Sequence, residues 1–246
     1  ITGRNQYRRP YEFLAREGRI PELIVVGISN TDRTRDLTPT HVPSVVQNGM
    51  TINFPTSGGG EKFLSFIATE LIPHIEKNYR TLPYRVFAGH SFGGLFALQS
   101  VFSRPGLFNA VVAVSPALIW DDGYAVRRAK ELVQSRPELN TTLIVTVGNE
   151  GEALDREFYA LQDVFEKRAP KGFEFQAIKF DDEDHGSVVL PSHYAALRAV
   201  FDAWRFAAGG DVKTLYARAR DHYAQLSKRT GFRVPIPEAT VNLIGY

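Results

Sequence analysis

The sequence predicts an α/β protein in which a mostly parallel β-sheet carries helices on both faces. Two features of the sequence lead to this prediction. Short, continuous runs of apolar residues recur along the chain, as is typical of strands that are buried on both faces. Segments with the apolar spacing of amphipathic helices lie between these runs. Strands that alternate with helices in this way favour a parallel sheet.

Five apolar runs are predicted to be strands. The first, over 23–28, is rich in β-branched residues and suits a strand that is buried in a parallel sheet. The other four follow in order over 84–88, 110–114, 143–147 and 173–180.

Helical spacing predicts helices between these strands. In the helix over 61–78, Pro73 is expected to cause a kink, because proline lacks a backbone N–H. A polar segment over 29–60 precedes this helix, and loops of that length are usually functional or mobile. One helix follows the turn at Trp120 and ends near 135, and others are predicted over 10–19, 92–103, 155–167 and 194–206.

The character of the chain changes after Gly209-Gly210. A charged amphipathic helix is predicted over 213–229, and an extended segment follows it. With 246 residues, 43% of them hydrophobic, the chain is long enough for one sizeable core. We therefore predict an α/β domain over 1–208 and a helical C-terminal extension over 209–246.

Composition excludes several classes of function. Lys and Arg number 29 against 27 Asp and Glu, without a basic run, so neither nucleic acid nor an anionic membrane surface is an expected partner. The absence of cysteine excludes disulfides, thiol catalysis and thiolate metal sites. No apolar run approaches the ~18 residues that span a bilayer.

The N-terminus has neither a signal-peptide pattern nor an initiator methionine, so we expect the chain to begin downstream of its gene start. The compartment stays open between cytoplasm and periplasm, and the oligomeric state is equally open.

A glycine-flanked serine follows the second predicted strand. Gly89, Ser91 and Gly93 form the G-x-S-x-G pattern, with a strand before it and a helix after it. This nucleophile elbow forces the serine into a strained conformation, so its neighbours two residues away must be small. The hydroxyl is expected to stand above the sheet edge, with the Phe92 N–H directed at a bound carbonyl oxygen. His90, beside the nucleophile, is expected to point away from it.

An acid and a histidine follow two later strands. His185 comes after the strand over 173–180, and Glu150 or Glu152 comes after the strand over 143–147. Ligands gather at the carboxyl ends of parallel strands, and the order serine, acid, histidine is that of α/β-hydrolase triads. The imidazole would take the serine proton while the carboxylate holds its tautomer. Glu150 is favoured, because it lies nearer the strand end, with Glu152 as the alternative.

The acidic cluster over 181–184 lacks the spacing of a metal site with other histidines, so neither metal nor cofactor is expected.

The sequence resembles the esterase D / putative esterase family of α/β-hydrolases, which includes siderophore esterases for enterobactin and salmochelin, S-formylglutathione hydrolase and the mycolyltransferases. The resemblance covers about residues 12–206 and is closest to the siderophore-esterase-like members. It rests on Gly89-His90-Ser91-Phe92-Gly93-Gly94, Ser115-Pro116, Trp120-Asp121-Asp122, Asp184-His185-Gly186-Ser187 and the arginine-bearing segment over 30–38.

By this resemblance Ser91 is the nucleophile, His185 the base and the Phe92 N–H half of the oxyanion hole. Arg33, Arg35 and Trp120 would line a substrate pocket, or else anchor loops and pack in the core. The family normally has further strands before the elbow, one of which supplies the second oxyanion N–H. This chain starts after that point, so those strands are expected to be missing from it.

We therefore expect a serine hydrolase that cleaves carboxylic esters of small molecules, siderophore-type or other aryl and acyl esters, through an acyl-enzyme. One alternative is a short-acyl or thioester hydrolase that resembles S-formylglutathione hydrolase. An acyltransferase would share the same residues. The alternative from another class is a non-catalytic, ligand-binding member of the fold.

Overall fold

The computed structural model describes residues 4–47 and 49–244. Its centre is a parallel sheet of four strands in the order β3-β4-β5-β6. These strands are β3 (Val86–His90), β4 (Ala110–Val114), β5 (Glu138–Val147) and β6 (Lys171–Lys179). All five side chains of β4 are buried, so both faces of the sheet are covered at its middle. The predicted α/β class and parallel sheet are confirmed.

Helices connect the strands and pack on them. The long predicted helix over 61–78 forms in three parts: α3 (Gly60–Phe66), a π-helical turn (Ile67–Leu71) and α4 (Ile72–Asn78). In the π-helical turn the Ile72 N–H donates to the Ile67 carbonyl, five residues back, and Pro73 follows in the first turn of α4. The helices that follow are α5 (Phe92–Ser103), α6 (Tyr124–Ser135), α7 (Glu152–Arg168) and α8 (Val189–Val200).

The polar segment over 29–60 contains regular structure that the sequence analysis missed. A short helix, α2 (Arg33–Leu37), begins at Asp32, whose side chain accepts the Arg35 N–H. An antiparallel hairpin of β1 (Ser44–Gln47) and β2 (Met50–Asn53) follows it. Phe54, directly after the hairpin, packs against the main core.

The strand predicted over 23–28 is wrong. These residues form no strand in the structure, and Ile24, Val25 and Val26 are about half exposed. A parallel strand needs a neighbour to receive its hydrogen bonds, and none of the described residues pairs with this segment. Within the described sheet, β3 is therefore an edge strand.

The described residues form two compact units. One comprises Val26–His193 and holds the sheet and its core. The other groups the residues up to Val25 with those from Tyr194 onward. It contains α1 (Arg4–Arg16), α9 (Leu215–Thr230) and α10 (Glu238–Ile244). Buried Tyr223, Leu226 and Val234 pack there with the partly buried Trp204 and Phe206. The domain boundary at 208/209 stays a prediction.

Candidate active site

Ser91 lies at the sharp turn between β3 and α5. Its backbone angles are φ 61° and ψ −120°, a conformation that non-glycine residues rarely adopt and that costs about 1–3 kcal/mol. Three backbone hydrogen bonds hold it there. The Ser91 N–H donates to the Val114 carbonyl at 3.0 Å, and its own carbonyl accepts from Leu95 and Ala117. The turn is thus tied both to α5 and to the residues that follow β4.

Two glycines allow this turn to close. A Cβ on Gly89 would lie 2.1 Å from the Gly93 carbonyl oxygen, and one on Gly94 would lie 3.0 Å from Pro116. A Cβ on Gly93, by contrast, would meet no atom within 4 Å. The expectation that position 93 must be small is therefore wrong, and the steric requirement falls on Gly89 and Gly94.

Phe92 is the first residue of α5. Its N–H has no hydrogen-bond acceptor among the described residues, as expected for the first amide of a helix. The positive end of the helix dipole adds to the attraction of this amide for a negative oxygen. This end of α5 can therefore bind an oxyanion.

Glu150 and His185 form a hydrogen-bonded pair. The Glu150 Oε2 lies 2.5 Å from the His185 Nδ1. The Glu150 side chain is only 10% exposed, whereas that of His185 is 49% exposed. The other carboxylate oxygen, Oε1, accepts the Gly148 N–H at 3.1 Å and the Ser115 hydroxyl. The acid is thus largely buried and the imidazole is open to the solvent.

The loop that carries His185 is built tightly onto the end of β5. The Asn149 N–H donates to the Glu183 carbonyl at 2.6 Å, and a Cβ on Gly148 would lie 2.5 Å from the same oxygen. The Asp184 carboxylate accepts the N–H groups of Gly186 and Ser187, each at 2.8 Å. These bonds hold the pKa of Asp184 below its usual range. The acid and the histidine therefore share one rigid frame.

His90 connects this loop to the elbow. Its Nε2 lies 2.8 Å from the His185 carbonyl oxygen, and the two rings are 4.6 Å apart between centroids. The side chain of the residue next to Ser91 thus contacts the predicted base. Burial lowers the pKa of His90, so the neutral ring donates from Nε2 to the carbonyl.

The structure brings some of the predicted residues together and leaves others apart. Ser91 lies one residue from His90, which contacts His185, but no hydrogen bond joins the Ser91 hydroxyl to the imidazole within the described chain. Glu152 is the exposed first residue of α7 and makes no hydrogen bond to His185 in the same part of the chain.

Aromatic rings surround the first turn of α5. Phe54, Phe92 and Trp120 contact one another edge to face, with centroids 5.3–5.7 Å apart. The exposed Arg33 guanidinium lies over the Phe92 ring, 5.2 Å from its centroid. No carboxylate of the described residues pairs with Arg33. A guanidinium without a carboxylate partner among the described residues and a cluster of aromatic rings thus lie close to Ser91.

Arg35 and Trp120, two of the three residues predicted to line a substrate pocket, have partners within the protein. The Arg35 side chain bonds Asp36 at 2.8 Å and Thr31 at 2.9 Å. Trp120 is 4% exposed, and its indole N–H donates to Thr40. Both side chains serve the packing of the loops in this structure.

Ser115 is the site residue that the sequence analysis missed. It directly follows β4, is fully buried and has a positive φ of 42°. Its hydroxyl donates to Glu150 and lies 3.0 Å from the His185 Nδ1. The signal that could have identified it is its position, because it follows a buried strand just as Ser91 does.

Within residues 4–47 and 49–244, no group of three or more acidic or histidine side chains could hold a metal ion. In the same ranges no helix is both long and apolar enough to cross a membrane.

A family model described as "Putative esterase" matches residues 4–186. Ferri-bacillibactin esterase BesA of Bacillus subtilis is 29% identical over 210 residues, which cover 79% of this chain and 71% of BesA. The siderophore triacetylfusarinine C esterase of Aspergillus fumigatus is 26% identical over 180 residues, 62% of each protein.

The structure also resembles solved structures. The IroE-like serine hydrolase of Shewanella oneidensis superposes with a TM-score of 0.86 and 30% identity, over 97% of this chain and 78% of that one. The family match over 4–186 includes Ser91, Glu150 and His185, so it covers the whole candidate site.

Proposed function

We propose that Ser91, His185 and Glu150 form the catalytic triad of this chain, which belongs to the putative esterase family and is an ester-hydrolysing enzyme of the α/β-hydrolase fold. The observation that carries the proposal is the hydrogen bond between the Glu150 Oε2 and the His185 Nδ1, which lie 2.5 Å apart. This bond orients an exposed imidazole whose ring contacts His90, the residue next to the strained Ser91. Glu150, rather than Glu152, is then the acid.

The reaction follows from these positions. The His185 Nε2 takes the hydroxyl proton of Ser91 as the serine oxygen bonds to the ester carbonyl carbon. The carbonyl oxygen becomes an oxyanion that accepts the Phe92 N–H. When this intermediate collapses, the alkoxide leaves and takes the proton from His185. Water, deprotonated by the same nitrogen, then hydrolyses the acyl-enzyme and restores the serine.

The missing hydrogen bond between Ser91 and His185 is compatible with this mechanism. Catalytic hydrogen bonds are often long without substrate and shorten only in the complex. The carbonyl of His185 is bound to the side chain of His90, the residue next to Ser91, and this contact keeps the two catalytic candidates in neighbouring segments.

The proposed substrates are siderophore-type or other aryl and acyl esters. Relatives named as siderophore esterases support this class. So does Arg33, because an unpaired guanidinium beside three aromatic rings suits an aromatic acyl group that carries negative charge.

A fluorophosphonate probe tests the serine directly, because an activated serine displaces the fluoride and becomes phosphonylated. We expect labelling of the wild type and its loss in Ser91→Ala and His185→Ala. His74→Ala, which changes an exposed histidine on α4, is the matched control and should label normally.

Turnover of aryl esters, siderophore esters and thioesters then distinguishes the substrate classes. Preference for thioesters would favour the relation to S-formylglutathione hydrolase. A folded wild type that neither labels nor hydrolyses any ester would refute the catalytic proposal and favour a ligand-binding member of the fold.

A further inference from the structure

We infer that Ser115 is a positioning residue that fixes the Glu150 carboxylate and, through it, the tautomer of His185. This inference rests on the proposed triad and adds a fourth side chain to it. It is supported by the position of Ser115 in the sheet, by its burial and by the hydrogen-bond donors around the Glu150 carboxylate.

Ser115 occupies the strand end between nucleophile and acid. β4 lies between β3, which leads to Ser91, and β5, which leads to Glu150. The Ser115 N–H donates to the Thr146 carbonyl of β5 at 2.7 Å. On either side of it, the Val114 carbonyl and the Ala117 N–H bond the backbone of Ser91. One short segment therefore aligns the nucleophile and the acid.

The conformation of Ser115 also points to a specific role. Its positive φ of 42° lies in a region that favours glycine, yet the residue carries a side chain that is wholly buried. A buried hydroxyl without a partner is costly, and this one has two partners, Glu150 and His185. The strained backbone thus directs a hydroxyl at the carboxylate–imidazole pair.

The proton count assigns the hydrogen bonds. An ionised carboxylate only accepts, so the one hydroxyl hydrogen of Ser115 goes to the Glu150 Oε1. The Ser115 oxygen can then only accept from the His185 Nδ1, 3.0 Å away, which must carry a hydrogen. The same Nδ1–H points to the Glu150 Oε2. In the neutral imidazole, a hydrogen on Nδ1 makes Nε2 the acceptor nitrogen, as a general base for Ser91 requires.

Removal of the hydroxyl should therefore act through Glu150. In Ser115→Ala the Oε1 keeps only the Gly148 N–H, so the carboxylate is held less tightly and the His185 Nδ1 loses its contact with the Ser115 oxygen. Loss of one member of a coupled hydrogen-bond network is expected to change activity by about 10–100-fold. Ser115→Gly removes the same hydroxyl and tolerates the positive φ, so it separates the loss of the hydrogen bond from backbone strain.

The test measures hydrolysis of p-nitrophenyl acetate and the rate of fluorophosphonate labelling. We expect kcat and the labelling rate to fall about 10–100-fold in both Ser115→Ala and Ser115→Gly, with KM within about two-fold. Ser100→Ala removes another buried hydroxyl, which bonds a helix carbonyl in α5, and should change neither rate.

A double-mutant cycle separates positioning from mere support of the fold. In a Glu150→Gln background, Ser115→Ala should cost less than about three-fold, because the group through which it acts is already lost. Histidine ¹⁵N NMR should find the Nδ1–H tautomer of His185 in the wild type and a mixture of the Nδ1–H and Nε2–H tautomers in Ser115→Ala.

The inference would be overturned if a folded Ser115→Ala variant kept the wild-type kcat. It would also be overturned if Ser115→Ala lowered kcat equally in the wild type and in Glu150→Gln. Either result would leave the proposed triad intact. A wild type without any serine reactivity would instead remove the proposed triad, and the inference with it. If Ser115→Ala fails to fold, Ser115→Gly carries the same comparisons.

Discussion

Ser91 and Ser115 both adopt a positive φ at the carboxyl end of a parallel strand. Glycine would fit either backbone with less strain, yet each position holds a hydroxyl that the proposed chemistry needs. The strain is borne by surrounding hydrogen bonds, since the two segments bond each other through Val114 and Ala117. Ser91 and Ser115 thus lie in two strained turns that are hydrogen-bonded to each other.

The choice between the two candidate acids is tested by amide substitution. Glu150→Gln keeps the shape of the side chain but removes the charge that stabilises the imidazolium. We expect kcat to fall by about 10³–10⁴ with little change in KM. Glu152→Gln is the matched control and should stay within about two-fold of the wild type. The opposite result in steady-state kinetics would assign the acid to Glu152.

His90 makes the protein sensitive to acid. Its pKa is lowered by burial, so below about pH 6.5 the unfolded chain takes up this proton more readily than the folded one. The stability that the neutral ring contributes is present above that pH and is lost as the pH falls. His90→Gln keeps an N–H donor for the His185 carbonyl but cannot titrate.

Thermal unfolding at pH 7.5 and pH 5 checks this. We expect the variant to match the wild type at pH 7.5 and to lose less stability at pH 5. It should still lose some, because burial also lowers the pKa of His193. His74→Gln, on the exposed face of α4, should behave as the wild type. If His90→Gln lost as much stability at pH 5 as the wild type, His90 would not be a source of the acid sensitivity.

The residues of the site differ in how far the sequence could predict them. Ser91 and His185 belong to short motifs with a local physical reason, so the sequence sufficed to name them as candidates. Glu150 and Glu152 both follow the same strand, and only the folded loop, which turns one carboxylate towards His185, distinguishes them. Ser115 enters the sequence motifs only as part of Ser115-Pro116, which does not indicate its proposed role, because that role depends on a contact across 35 residues.

At the scale of elements, local sequence patterns predicted the bounds of single helices and strands well, but they did not predict which segments pair as strands. The bounds of β4 and α5 match their predictions, because consecutive residues determine the burial pattern of each element. The apolar run over 23–28 predicted a buried strand, but its residues are exposed or only partly buried. The formation of a strand depends on a pairing partner far along the chain, which the run itself does not reveal. The hairpin of β1 and β2 was missed because each strand has only four residues and its side chains are largely exposed.

The close packing of the His185 loop on β5 depends on Gly148. In Gly148→Ala the added Cβ would meet the carbonyl oxygens of Glu183 and Asp184 at 2.5 and 2.9 Å, so the loop must move. A displacement of about 1 Å can cost ~100-fold in rate, and we expect a loss of that order in kcat.

The unfolding free energy should fall by about 1–3 kcal/mol, because the backbone groups that are met cannot rotate away. Gly27→Ala is the control, since its Cβ would meet no atom within 4 Å. Activity of Gly148→Ala within about three-fold of the wild type would show that the loop tolerates the shift.

At the scale of the whole molecule, each of the two tryptophans reports on a different hydrophobic cluster. Trp120 belongs to the core around the sheet, and Trp204 packs with Tyr223, Leu226 and Val234. Single-tryptophan variants, Trp120→Phe and Trp204→Phe, therefore read the unfolding of one cluster at a time.

Leu226→Ala should destabilise the cluster around Trp204 in particular. Leu226 is 4% exposed, and truncation of such a side chain costs about 2–5 kcal/mol. With urea slopes of about 1–3 kcal/mol per molar, the midpoint that Trp204 reports should fall by about 1–2 M. The midpoint that Trp120 reports should move much less. Leu161→Ala, which truncates a buried leucine of the sheet core, should reverse the pattern. Equal shifts of both reporters in either variant would mean that the two clusters unfold as one cooperative unit.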